Sequence, residues 1–255
     1  MNKLEKFALM DSYSNVFQAA DYSALQKSGF PMRGRWNSDY FKNENPIVLE
    51  LGCGKGEYTI GLARLYPDKN FIGIDIKGAR MFTGATVALE QKLSNVAFLR
   101  THIEFLDNIF AEDEVSEAWI TFPDPQMQKP RKRLVGTMML GRYQRYLKPE
   151  GVLHLKTDSN FLFEYASAMF KANNIVPEVI TGDLYKDGGE LDIDPTLLTI
   201  QTYYEEKWLS HGLKIKYLRF RAPFRGEELV EPEVDIEYDT YHSVGRGVKE
   251  FNRKN

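Results

Sequence analysis

Five short apolar runs, each followed by a segment of helical periodicity, constrain the fold of this chain more than any other feature. "PIVLELG", "NFIGIDI", "NVAFLR", "EAWITF" and "GVLHLKT" are dominated by Val, Ile, Leu, Phe and Ala. That is the pattern of strands buried on both faces. The segments that follow them, "EYTIGLARLYP", "KGARMFTGATVALEQKL", "IEFLDNIF", "RLVGTMMLGRYQRYL" and "NFLFEYASAMFKAN", read as helices. Strands alternating with helices predict an α/β chain with a mostly parallel sheet covered on both faces. Right-handed crossovers make such a sheet doubly wound. Its ligands lie beyond the carboxyl ends of the strands, near the point where strand order reverses. "VPEVIT" predicts a weaker strand, "YYEEKWLSHG" a late helix and "KIKYLRF" a final strand with alternating character.

This regular pattern occupies residues 46–220. Residues 1–45 are polar and aromatic and read as an N-terminal extension. Residues 182–199 are acidic, with Gly and Pro, and read as an inserted loop. Residues 221–255 have no clear period and read as a C-terminal tail. At 43% hydrophobic and 27% charged residues, the composition is that of a globular chain. No apolar run approaches the roughly 18 residues of a membrane helix. "MNKLEKFALMDSY" carries charges throughout, so no signal peptide is expected. Cys53 is the only cysteine, which excludes an intrachain disulfide and fits a reducing cytoplasm. A net charge of −3 argues against a protein that grips nucleic acid over its whole surface, but leaves room for a local basic patch.

The first strand runs into "LELGCGKGEY", with glycines at 52, 54 and 56. A dinucleotide fingerprint requires the third glycine at 57, where this chain has Glu57, and that carboxylate would repel a pyrophosphate. No G-K-[ST] follows, so the nucleotide P-loop pattern also fails. Glu50 ends the first strand and Asp75 the second. An acid at the second position accepts the hydroxyls of a ribose. An acid at the first, over a glycine floor, suits a ligand with positive charge and no phosphate. S-adenosylmethionine has that chemistry. The competing reading is a tight strand-to-helix turn with a solvated Glu50.

A second stretch, "TFPDPQMQKPRKRL", follows the fourth strand. Two prolines flank Asp124 and stiffen the backbone that carries it. Lys129, Arg131, Lys132 and Arg133 come next, the densest basic run in an acidic chain. They suit a phosphate-rich substrate beside the site. A solvated basic face at a helix start is the alternative, although cations there oppose the helix dipole.

"LELGCGKG", "GIDI", "TFPDPQ…KPRKRL", "LKTD" and "TYYEEKWLSHG" together resemble, in this order, the bacterial tRNA (guanine-N7)-methyltransferases, from about Pro46 to about Phe220. The resemblance implies a Rossmann-like class I methyltransferase fold with a seven-stranded sheet, and S-adenosylmethionine as methyl donor. It implies tRNA as partner, with guanine 46 of the variable loop as acceptor, and no metal or membrane. Glu50, Gly52, Gly54 and Asp75 match the cofactor positions. Asp124 matches the acid at the catalytic centre, which also borders the cofactor. Lys129, Asp158, Thr202 and Glu205 match substrate-binding positions. His102, with Glu104 two residues on, stands where the family usually has an acid near the adenine, and Gln126 replaces an aromatic after the "FPDP" element. Monomer and homodimer are both compatible with this pattern. A class I methyltransferase with another acceptor, or an inactive RNA-binding relative, are the rival readings.

Guanine N7 has an in-plane lone pair and no proton, so transfer to it needs no base. Positioning and carboxylates facing the purine are the expected devices. Asp124, Asp158 and Glu205 are the candidate carboxylates. Arg33, Arg35 and Trp36 either help expose the base by stacking and phosphate contact or pack against the domain. His154 reads as a core residue, and no His/Cys spacing suggests a metal site.

Overall fold

The computed structural model describes residues 2–223 and 225–240. The chain opens with helix α1 (Lys3–Met10), strand β1 (Val16–Ala19), helix α2 (Tyr22–Ser28) and a single π-helical turn over Trp36–Phe41. The regular alternation follows. β2 (Ile47–Leu51) leads to α3 (Glu57–Leu65), β3 (Asn70–Asp75) to α4 (Gly78–Glu90), and β4 (Val96–Thr101) to a 3-10 turn at Ile103–Asn108. β5 (Val115–Thr121) leads through a 3-10 turn at Pro130–Lys132 to α5 (Thr137–Tyr143), and β6 (Leu147–Thr157) to α6 (Asn160–Ala172). β7 (Val179–Thr181), α7 (Leu184–Asp187), a 3-10 turn at Pro195–Thr199, α8 (Tyr203–Ser210) and β8 (Lys216–Arg221) complete it. The segment 182–199 is therefore partly helical, and the helix expected over 133–147 is confined to α5. Residues 241–255 of the predicted tail lie outside the described residues.

Among the described residues, eight strands form one sheet in the order β1-β4-β3-β2-β5-β6-β8-β7. Only β8 runs antiparallel to its neighbours. Strand order reverses at β2, which pairs with β3 on one side and β5 on the other. The resemblance predicts seven strands; the eighth is β1, from the N-terminal extension. It pairs in parallel with β4, from Val16↔Phe98 to Ala19↔Thr101. The extension is thus built into the sheet. Trp36 has no exposed surface and packs among Phe17, Phe30 and Phe110. Packing, not stacking on RNA, is what this ring does.

Every residue of β2 is buried, as the continuous apolar run requires. One ring organises the layer behind the glycine turn. A Cβ at Gly56, Gly73 or Gly84 would lie 2.6, 2.8 or 2.8 Å from the Phe98 ring. Three elements therefore close on β4 only because those positions lack side chains.

Candidate active site

The site is assembled at the carboxyl ends of β2 to β6. Glu50, on β2, is 3% exposed. One of its carboxylate oxygens accepts from the Thr59 N–H at 2.8 Å and from the Thr59 hydroxyl. The other accepts from the Thr121 hydroxyl at 2.8 Å. Burial pushes its pKa up to about 7, even though these bonds pull it down. The Thr121 contact ties the glycine-turn acid directly to the strand end that leads into the Asp124 loop.

The glycine turn adopts backbone conformations that side chains resist. Gly52, Gly54 and Gly56 have φ of 83°, 56° and 76°. They divide into two kinds. Gly56 abuts Phe98, whereas a Cβ on Gly52 or Gly54 would meet nothing within 4 Å. Those two therefore face open space above the sheet. Asp75, at the end of β3, closes the turn: Oδ2 accepts from the Gly54 N–H at 3.0 Å and Oδ1 from the Lys77 N–H at 2.7 Å.

Beyond β5 the chain makes a constrained loop. Phe122 and Gln126 both take left-handed conformations, with φ of 48° and 49°. The Phe122 N–H donates to the Lys156 carbonyl at 2.8 Å, pinning the loop to β6. Asp124 is exposed at its apex, and its Oδ1 accepts from the Gln126 N–H at 3.1 Å.

Residues 44–218 match the methyltransferase family described as "Putative methyltransferase". The tRNA (guanine-N(7)-)-methyltransferase of Bacteroides fragilis is 55% identical over 245 residues, covering 96% of this chain and 95% of the relative. That of Porphyromonas gingivalis is 53% identical over 239 residues, covering 93% and 96%. This chain belongs to the tRNA (guanine-N7)-methyltransferase family. Among solved structures, the 16S rRNA methyltransferase KamB superposes with a TM-score of 0.53 at 13% identity, covering 81% of this chain and 96% of that one. An antibiotic-related methyltransferase superposes with a TM-score of 0.52 at 16% identity, covering 72% and 90%. At such identities the likeness shows the class I methyltransferase fold alone.

The family's donor is S-adenosylmethionine, and the residues of this methyltransferase fit it. Gly52 and Gly54 leave an open cradle, Asp75 is a strand-end acid of the kind that accepts from ribose hydroxyls, and Glu50 is a buried acid whose bonds come from hydroxyls and an amide. His102 is exposed at the end of β4, before the 3-10 turn, with its ring 5.1 Å from that of Phe105. Glu104 is exposed, and its carbonyl accepts from Arg142 at 2.8 Å.

The four predicted substrate residues of this methyltransferase are placed differently from one another. Lys129 is exposed, just before the 3-10 turn. Asp158 is buried at the end of β6, where its carbonyl accepts from the Lys216 ammonium at 2.8 Å. Thr202 and Glu205 form a capping box at the start of α8. The Glu205 side chain has no exposed surface, and its Oε1 lies 2.6 Å from the Lys156 ammonium. The Tyr185 hydroxyl also donates to it, at 2.7 Å. Glu205 thus faces inward, and Lys156, whose pKa burial pulls below its ordinary value, is a partner that sequence reasoning missed. An isolated lysine inside "HLKTD", five residues after a glycine, is the one signal that could have found it.

The basic run is split as well. Arg131 and Lys132 are exposed beside Lys129, but Arg133 is only 7% exposed and turns under the loop. Arg33 and Arg35 are exposed on the extension, Arg35 pairing with Asp39 at 3.3 Å. His154 is in the core, stacked on Trp119 at 3.7 Å. Among the described residues no group of three or more His, Cys, Asp or Glu is arranged to hold a metal, and no helix is long and apolar enough to cross a membrane.

Proposed function

We propose that this chain methylates N7 of guanine 46 in the variable loop of tRNA, in the cytoplasm, with S-adenosylmethionine as donor. The observation that carries this reading is the placement of Asp124. It is an exposed carboxylate on a constrained loop, joined through Thr121 to the buried acid of the cofactor floor and followed by exposed Lys129, Arg131 and Lys132.

The bound donor supplies an electrophilic methyl group on a sulfonium. Glu50 and Asp75 give the donor's cationic and ribose groups their acceptors, and Gly52 and Gly54 let the backbone approach. Guanine N7 would take that methyl group with its own lone pair as the methyl–sulfur bond breaks, its electrons staying on sulfur in the departing thioether. Asp124 takes no proton before transfer; it holds the purine's N–H edge and stabilises the positive charge that develops on the ring. Asp158, just past the end of neighbouring β6, is read as a second carboxylate for the acceptor base. Lys129, with Arg131 and Lys132, meets the phosphates around the exposed base. Thr202, at the cap of α8, is read as a further acceptor contact, while Glu205 fixes that helix from inside.

Transfer of labelled methyl to an unmodified tRNA transcript, and none to a transcript with adenine at position 46, is the expected result. Asp124→Asn lowers kcat by about 10²–10³ with cofactor affinity intact. Wild-type turnover by that variant, or equal labelling of both transcripts, would overturn the assignment.

A further inference from the structure

Gln126 holds a left-handed conformation that a residue with a side chain adopts unfavourably. In it, the two backbone groups of this one residue address two side chains. Its N–H donates to Asp124 Oδ1 at 3.1 Å, and its carbonyl accepts from Arg133 Nε at 3.3 Å as well as from the Lys129 N–H at 2.9 Å. Arg133 Nη2 donates to the next carbonyl, that of Met127, at 2.9 Å. The guanidinium is held in turn from three sides. It lies 4.2 Å from the Tyr165 ring centre and 4.9 Å from that of Phe161, both on α6, and 3.6 Å from Glu231 Oε1.

Glu231 belongs to the C-terminal segment, which crosses the surface here as a strap without regular structure. Its carboxylate accepts from the Tyr165 hydroxyl at 2.9 Å and from the Thr137 hydroxyl at 2.7 Å. Other strap residues are anchored on both sides of it. Arg225 donates to the Gln144 carbonyl at 3.0 Å, and the Val230 N–H donates to the Asn173 side chain at 2.6 Å. Asp239 accepts from the Phe161 N–H at 3.2 Å and from the Ser159 hydroxyl, next to Asp158. A cavity of about 150 Å³ between strap, loop and α6 is lined by Met127, Arg133, Tyr165 and Tyr238 among others.

We propose that Arg133, clamped by Glu231 of the strap, is a positioning residue for methyl transfer: it fixes the Gln126 peptide, and through it the Asp124 carboxylate, and does not contact RNA phosphate. The charge pattern of the run suggests a phosphate ligand; the geometry makes this guanidinium an internal brace. The C-terminal strap is then part of the active-site scaffold. This inference rests on the reading that Asp124 acts at the acceptor base.

The test is steady-state methyl transfer to tRNA by the full chain at several salt concentrations, with Arg133→Lys, Glu231→Gln, Lys129→Ala and Asp124→Asn in parallel. Lysine keeps the charge but cannot span two carbonyls while stacking on a ring. Arg133→Lys is expected to lose tenfold or more in kcat. Its tRNA KM, the salt dependence of that KM and its cofactor affinity by calorimetry should stay within about twofold of wild type. Glu231→Gln is expected to lose severalfold in kcat with the same unchanged quantities. Lys129→Ala should instead lower the salt slope by roughly 0.7–1, the mark of a lost phosphate contact. If Arg133→Lys turns over like wild type per cofactor-binding site, even with a lowered Tm, or if its salt slope falls as for Lys129→Ala, the proposal is wrong. If Arg133→Lys does not fold, Glu231→Gln, whose carboxylate is partly exposed, decides by the same criteria. Wild-type kcat in Asp124→Asn would sink the underlying reading; an inactive Asp124→Asn beside a wild-type Arg133→Lys sinks this inference alone.

Discussion

At the carboxyl end of β2 a buried glutamate is met by two threonine hydroxyls and an amide, whereas at the start of α8 another grips a lysine ammonium at 2.6 Å. Among the described residues no cationic side chain pairs with Glu50, and burial disfavours its charge. Glu205 already has its cation and a capping role. Two acids that a sequence presents alike are thus opposites: one is buried among neutral donors alone, the other is joined to a buried cation.

The largest test of this contrast is Glu205→Gln. Removing one partner of a fully buried pair strands the Lys156 charge, and a loss of about 3–5 kcal/mol in unfolding free energy is expected by denaturant titration. Replacing both residues by apolar ones of similar volume should restore most of it. A variant of wild-type stability with a raised tRNA KM would instead make Glu205 a substrate contact and erase the contrast.

Glu50 gives the next largest effect, with a definite sign. Its folded pKa, about 7, lies above the ordinary 4.5, so the folded chain binds the proton more tightly than the unfolded one. Its contribution to stability is present below pH 4.5 and is lost as pH rises through 7, by roughly 3 kcal/mol across that window. Wild-type stability minus that of Glu50→Gln should fall accordingly between those two pH values. On the proposed role of Glu50, cofactor binding needs the ionised form, so wild-type affinity should drop about tenfold at pH 6 relative to pH 8, and Glu50→Gln should lose that dependence. A difference profile that is flat in pH would refute the unpaired acid.

Thr121→Val is the mildest probe. It removes one of the bonds that favour the charged form of Glu50, and a severalfold weaker cofactor Kd, about 1 kcal/mol, should appear in calorimetry with little change in Tm. An effect as large as that of Glu50→Gln would mean that Thr121 itself touches the ligand.

Much of the architecture was legible because buried parallel strands write themselves as apolar runs. β2, β3 and β4 fall where "PIVLEL", "NFIGID" and "NVAFLR" place them. β1 was not, since at the sheet edge only one of its four residues, Ala19, is buried and the strand carries no period. The glycine turn and its acids were legible from spacing, because φ above zero and a strand-end carboxylate are local demands. The direction in which a charged side chain turns is not local. Arg133 and Lys129 read alike in sequence, and only the rings of α6 and the strap decide that one faces inward. The same holds for Glu205, whose partner lies on β6, 49 positions away.

Phe98 shows what such close packing means over longer times. One benzene ring is the shared wall of Gly56, Gly73 and Gly84, on a turn, a strand and a helix. None of these three positions is free to drift alone, since the first methyl group added would displace the ring, and the ring cannot shrink without opening a void behind the cofactor floor. Inheritance must treat the four as a single character, so substitutions there should appear in relatives as matched sets.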